Sequence, residues 1–208
     1  QNIYSLISDM IKYNISFSEN TWKSVYPVYE ADTDINGIIS IVELFKKQSL
    51  QVPEFLYRSL ISLFVKNKDI RKAIQCLELI KIDNNSEPSL ETYNHIVKVL
   101  SQGDNWETCL AVFRTMRSLG TKATKEMWHT LLTTCASNRS IKLPQIHDMI
   151  VEMIEKDETQ PDANLWNDVI KEIQSRDSQE YHLQRYQFSM IHKKGLLGNE
   201  SDKGLQKS

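Results

Sequence analysis

Apolar residues fall along this chain in short stripes at helical spacing, two stripes to a unit, and the unit recurs. An aromatic residue, a polar residue and then an apolar pair return five times: Trp22-Lys23 with Val25-Tyr26, Tyr57-Arg58 with Leu60-Ile61, Tyr93-Asn94 with Ile96-Val97, Trp128-His129 with Leu131-Leu132, and Trp166-Asn167 with Val169-Ile170. The interval is about 35 residues, the range of helix-pair repeats. In the third unit Tyr93, Ile96, Val97 and Leu100 make one stripe, Gln102 to Asn105 a polar break, and Trp106, Leu110, Phe113 and Met116 a second stripe. Each is one face of a helix. Gly120, Pro88 and Pro161 follow second stripes and stop those helices.

Neither helix of such a pair can bury its stripe alone, so neighbouring pairs must stack, and the predicted fold is an all-α solenoid of helix-turn-helix repeats. The units run over residues 19–53, 54–89, 90–124, 125–162 and 163–198. Ahead of them, in residues 1–18, Ile7, Met10 and Ile11 read as the second helix of a unit lacking its first half. Residues 199–208 are polar and aperiodic, and read as a disordered tail. The chain opens at Gln1 with this pattern already under way and shows no leader, so it reads as a piece of a longer protein.

Composition agrees with helix: 6 Gly and 5 Pro are few for an all-β chain, while 40% hydrophobic and 25% charged residues suit a folded domain. A formal net charge of -2 excludes polyanion binding by bulk attraction, so any nucleic-acid site must be local. The best apolar run, Leu60 to Val65, is too short to cross a bilayer, and no membrane partner is expected. Cys76, Cys109 and Cys135 are odd in number and widely spaced, which predicts buried packing rather than a disulfide framework or a zinc site. The five aromatics that open the units, Trp22, Tyr57, Tyr93, Trp128 and Trp166, recur at a core position and read as packing between repeats.

Leu90 to Thr124, LETYNHIVKVLSQGDNWETCLAVFRTMRSLGTKAT, resembles the pentatricopeptide repeat in its T-Y-N opening, its Phe-x-x-Met close and the Gly four residues later. Ala163 opens as ANLWNDVIKEI after Gln160-Pro161-Asp162, similar to the family's Pro-Asp junction and first helix. Five units in register extend the resemblance over nearly the whole chain, whereas the Leu-Gly and Tyr arrangement of tetratricopeptide repeats is met in none.

The resemblance implies that first helices line a groove for single-stranded RNA, mRNA or rRNA, each repeat meeting about one base. It implies that the readers are the residue after the signature aromatic and the last residue of the repeat. Carried over, these are Lys23 with Pro53, Arg58 with Ser89, Asn94 with Thr124, His129 with Asp162, and Asn167. Asn94, Asn167 and Asp162 match the family's choices. Lys23, Arg58 and His129 are not short polar residues; a long cation there suits a phosphate or a stacked base. Glu91 and Glu126 stand three residues before two readers, where a small apolar group is usual and where a carboxylate would repel phosphate. Lys66, Lys98 and Lys171 read as a solvated face, with Lys66 and Arg58 the cations an RNA backbone would use. The family also implies a mitochondrial protein of transcript stability, processing, translation or ribosome assembly, with ribosomal or other RNA-metabolism proteins as further partners. A protein-binding scaffold that has lost RNA readout is the alternative, supported by the near-neutral charge and the two glutamates.

Asp32, Asp34, Asn36, Gly37 and Glu43 satisfy the spacing of an EF-hand calcium loop over residues 32–43. Pro27 in the entering segment and the lack of a partner hand oppose it, and Asp32 or Asp34 also suits a cap for the next helix. His95, His129, His147, His182 and His192 form no metalloprotease spacing, no phosphate loop or nucleophile motif occurs, and His147-Asp148 reads as a surface pair. No enzyme activity, cofactor or metal is expected.

Overall fold

The computed structural model describes residues 3–103 and 105–176, which form ten α-helices and no strand. The expected second helix of the last unit, the tail at 199–208, His182 and His192 lie outside the described residues. The helices are α1 (Ile3–Lys12), α2 (Glu19–Ala31), α3 (Ile35–Lys47), α4 (Glu54–Lys66), α5 (Ile70–Asn84), α6 (Leu90–Ser101), α7 (Trp106–Ser118), α8 (Lys125–Ser137), α9 (Leu143–Lys156) and α10 (Ala163–Arg176). They divide into two compact bodies, one holding α1 to α6 and the other α7 to α10.

Short polar side chains start most of these helices. Asp34 accepts from the Gly37 N–H at 2.8 Å, Asp69 from Lys72, Ser89 from Thr92, Thr124 from Met127, and Asp162 from Leu165 at 2.8 Å. Each satisfies one of the backbone donors that an α-helix leaves open in its first turn. Left-handed residues end them: Asn14, Thr33, Ser49, Lys68, Asn85 and Glu158 all have positive φ, and Gly120 takes the same role at φ 81. Thus α5 stops at Asn85, and Pro88 lies three residues beyond the actual break. Pro27 does not interrupt α2, which runs through it to Ala31 at the loss of a single backbone hydrogen bond.

In the first body α4 is the central element, packed against α2, α3, α5 and α6, while α1 lies against α3. Being covered on several sides, α4 buries Leu56, Tyr57, Leu60, Ile61, Leu63 and Phe64. At about 25 cal/mol per Å² of apolar area, each such side chain contributes about 1.5–3 kcal/mol. In the second body α8 is central, packed against α7, α9 and α10. Trp22, Tyr57, Tyr93, Trp128 and Trp166 are all buried, in keeping with a packing role.

The second stripe of the third unit is rotated from its expected setting. Cys109, Val112, Phe113 and Met116 are the buried residues of α7, whereas Trp106 and Leu110 are half-buried. Trp106 is the first residue of the helix, where only part of the side chain can be covered by its own helix. All three cysteines are buried, and burial pushes the Cys76 and Cys109 thiols up to about 12, so both stay protonated and inert.

The polar tips of two of the buried aromatics, Trp128 and Tyr57, are tied to the ends of second helices. Trp128 donates from Nε1 to Asp157 at 2.7 Å, and Arg117 at the end of α7 pairs with the same Asp157 and with Glu152 while lying over the Trp128 ring. In the first body the Tyr57 hydroxyl donates to Asp83, which also pairs with Lys46 at 2.7 Å. Both arrangements join an aromatic of a first helix, an acid of the following helix and a cation of the helix before.

Candidate RNA-facing surface of the first helices

In each body the first helices lie side by side, α2 with α4 and α4 with α6 in one, α8 with α10 in the other. In each body one residue that follows a buried aromatic is linked by an ion pair to a neighbouring first helix. Arg58 on α4 places its Nη2 2.9 Å from Glu19 Oε2 of α2 and 3.2 Å from Glu91 Oε1 of α6. His129 on α8 lies 2.9 Å from Asp168 on α10.

Among the expected readers, Lys23 is well exposed and touches Glu19 at 3.2 Å, an i,i+4 surface pair of small energetic weight. Arg58 is buried, its charge set between two carboxylates rather than turned to solvent. Asn94 is half-buried and Asn167 exposed. Lys66 is exposed in the last turn of α4, as are Lys98 and Lys171 on α6 and α10. Glu91, expected to repel phosphate, is matched by Arg58.

The expected partners at the ends of repeats turn out to be helix caps. Ser89 caps α6 and also donates its hydroxyl to Glu54 Oε2 at 2.6 Å, the same carboxylate taking the Ser89 N–H and the Thr92 hydroxyl. Thr124 caps α8. Asp162 accepts from the Leu165 N–H and pairs with Lys125 at 2.7 Å, and these two donors hold its carboxyl below the ordinary carboxylate range. Pro53 precedes α4 with no side-chain cap. The residues that opened three units, Glu19, Glu54 and Lys125, are thus the ones that hold the expected readers. Their signal in the sequence was their place at a helix start, which reads as dipole compensation for the glutamates and carries no hint of the long-range partner.

Glu19 sits at a junction of charges. Burial alone would raise its carboxyl, but hydrogen bonds from Lys23 and Arg58 outweigh that and leave it below its ordinary value. Between α4 and α6, His95 Nε2 donates to the Arg58 carbonyl at 3.0 Å and lies 2.8 Å from the Ser62 hydroxyl. Burial first, then the charges of Arg58 and Lys98, lower its pKa and keep the ring neutral at pH 7. The sequence assigns His95 no role beyond its lack of a metalloprotease spacing, and Ser62 belongs to no motif.

The calcium reading of residues 32–43 fails on geometry. Helix α3 begins at Ile35, so Asn36 and Glu43 lie on it roughly 10 Å apart along its axis at 1.5 Å per residue, too far to share one ion. Asp34 is used as the α3 cap. Among the described residues no group of three His, Cys, Asp or Glu side chains has the arrangement of a metal site, and no helix is long and apolar enough to cross a membrane.

Two family models match the chain, one described as pentatricopeptide repeat-containing protein over residues 31–105 and one as PPR repeat over residues 91–121. No match was found among curated protein sequences. Among solved structures, the crystal structure of the pentatricopeptide repeat protein PPR10 from maize aligns with a TM-score of 0.60 and 18% identity over 85% of this chain. The match takes in 24% of that protein's chain, so the present chain spans about a quarter of its length, and the likeness is one of fold.

Proposed function

Because this chain is a pentatricopeptide repeat protein, we propose that it is a module holding single-stranded RNA along the side carried by its first helices. The observation that carries the reading is the lateral linkage of Arg58 to Glu19 and Glu91, and of His129 to Asp168. Within each body the residue following a buried aromatic thus meets the neighbouring first helix, which would let successive nucleotides pass from one repeat to the next within that body. On this reading the repeats are residues 19–53, 54–89, 90–124, 125–162 and 163–198. Lys23 and Lys66 supply phosphate contacts. Asn94 and Asn167 offer amide donors and acceptors to base edges. His129, Ser89, Thr124 and Asp162 act from positions already fixed by protein partners. The role is structural and recognitive, with no chemical step assigned to any side chain.

In finer terms we place the protein in mitochondria, in transcript stability, processing, translation or ribosome assembly, with mRNA or rRNA bound and ribosomal or other RNA-metabolism proteins alongside. Filter binding of random-sequence single-stranded RNA by the 208-residue chain tests the first step. Retention at low salt that declines as salt rises is expected, and no retention at low salt ends the reading.

A specific observation favours a second reading, a protein-binding scaffold: Arg58, Ser89, His129 and Asp162 are all engaged within the protein. Pull-down before and after ribonuclease treatment separates the two. Partners lost on digestion support RNA, and partners retained support the scaffold.

A further inference from the structure

We propose that Arg58 is a masked phosphate ligand, held out of use by Glu91, whose carboxylate a nucleic-acid phosphate displaces. The inference rests on the RNA reading above and assigns one residue within it.

The same guanidinium nitrogen of Arg58 lies 2.9 Å from Glu19 and 3.2 Å from Glu91, and the two acids are not equivalent. Glu19 is the inner partner. Its side chain is 35% exposed, and its second oxygen is taken by Lys23, so both of its oxygens are engaged. Glu91 is the outer partner, with its side chain 68% exposed, and among the described residues Arg58 alone pairs with it. An ion pair with one arm in water is worth little and exchanges readily. When Glu91 leaves, Arg58 keeps its Glu19 partner and the Glu91 carboxylate is already mostly hydrated, so the position can be given up to another anion at small cost.

A phosphate oxygen can take the vacated position in place of the carboxylate. It carries the same charge, and guanidinium pairs with phosphate and carboxylate in the same forked geometry. Glu91 stands one helical turn before Asn94 on α6, so a phosphate at Arg58 lies beside the amide expected to meet a base. Lys23, Glu19, Arg58 and Glu91 together sum to zero charge in the free protein. Exchange of Glu91 for phosphate therefore makes one more cation available to RNA, which net charge and sequence do not reveal.

The test is a four-protein cycle read by RNA affinity against salt, with a random-sequence single-stranded RNA pool as probe: wild type, E91Q, R58M and R58M/E91Q. Glu91→Gln leaves the inner Arg58–Glu19 pair in place, so the fold is not at stake in that arm. The expected result is tighter binding by E91Q and a log–log salt slope steeper by about 0.7, equal to roughly a 2.5-fold larger affinity loss between 50 and 200 mM salt. In R58M/E91Q that extra slope disappears. An E91Q gain that survives in R58M/E91Q reflects only removal of a negative charge and overturns the proposal, as does an unchanged slope in E91Q. If wild type and E91Q both fail to bind, the RNA reading itself is lost, an outcome distinct from binding with an additive cycle.

Discussion

His95 shows how one half-buried side chain couples neighbouring helices to pH. Its folded pKa is depressed by burial and by Arg58 and Lys98, so the folded protein binds a proton less readily than the unfolded chain does. Stability from this group is complete above the unfolded value, near 6.5, and is lost as pH falls below it toward the folded pKa. The expected outcome is a melting temperature that drops between pH 7.5 and pH 5.5, with a flatter profile in His95→Gln, which keeps a donor for the Arg58 carbonyl and cannot titrate. Thermal denaturation followed by circular dichroism checks it. Equal pH dependence in the two proteins would remove His95 from the account. The acids that respond at lower pH are different ones: Glu19, held below its ordinary value, keeps the α2–α4 tie until the medium is more acidic still.

Helix boundaries carry their own energetics, and α3 gives the clearest case. Gly37 sits in its first turn, and a Cβ there would lie 2.3 Å from Asp34 Oδ2 and 2.6 Å from the buried Tyr29 ring. Helix propensity by itself makes Gly→Ala favourable by about 1 kcal/mol. Here the added methyl drives Asp34 from the 2.8 Å hydrogen bond that caps the helix. Loss of such a cap costs about 0.5–2 kcal/mol, and Tyr29 must shift as well. Gly37→Ala is therefore expected to destabilise by about 1 kcal/mol in a urea titration, and a stabilised variant would show that the cap tolerates displacement. The residue that completes an apparent calcium motif is thus needed for a helix cap. Spacing of Asp, Asn and Gly cannot distinguish the two, since both uses call for short oxygen-bearing side chains at a tight turn.

Across the whole molecule a net charge of -2 leaves no long-range attraction for a polyanion, so binding must sum a few local contacts. Lys66 and Lys23 are exposed cations on first helices of the first body. Lys66→Gln and Lys23→Gln are each expected to lower the magnitude of the RNA salt slope by about 0.7 without moving the melting temperature. A slope unchanged in both variants would place the RNA backbone elsewhere. These substitutions differ in kind from those at Arg58, where charge and packing change together.

The all-α repeat fold was legible from the chain because each helix has to bury a stripe at 3.6-residue spacing, and the buried aromatics Tyr57, Tyr93 and Trp128 mark that requirement directly. Helix starts at Ser89, Thr124 and Asp162 were equally open to reading, since a cap acts on backbone two or three residues away. What the stripes left open was their exact rotation, as at α7, where Cys109 and Val112 replace Trp106 and Leu110 in the core. Partnerships over long separations were out of reach: Arg58 with Glu19 and Glu91, Ser89 with Glu54, Tyr57 with Asp83. Local periodicity decides which way a side chain faces, but only the stacking of one helix on the next decides whether a charge facing that way meets solvent or an opposite charge.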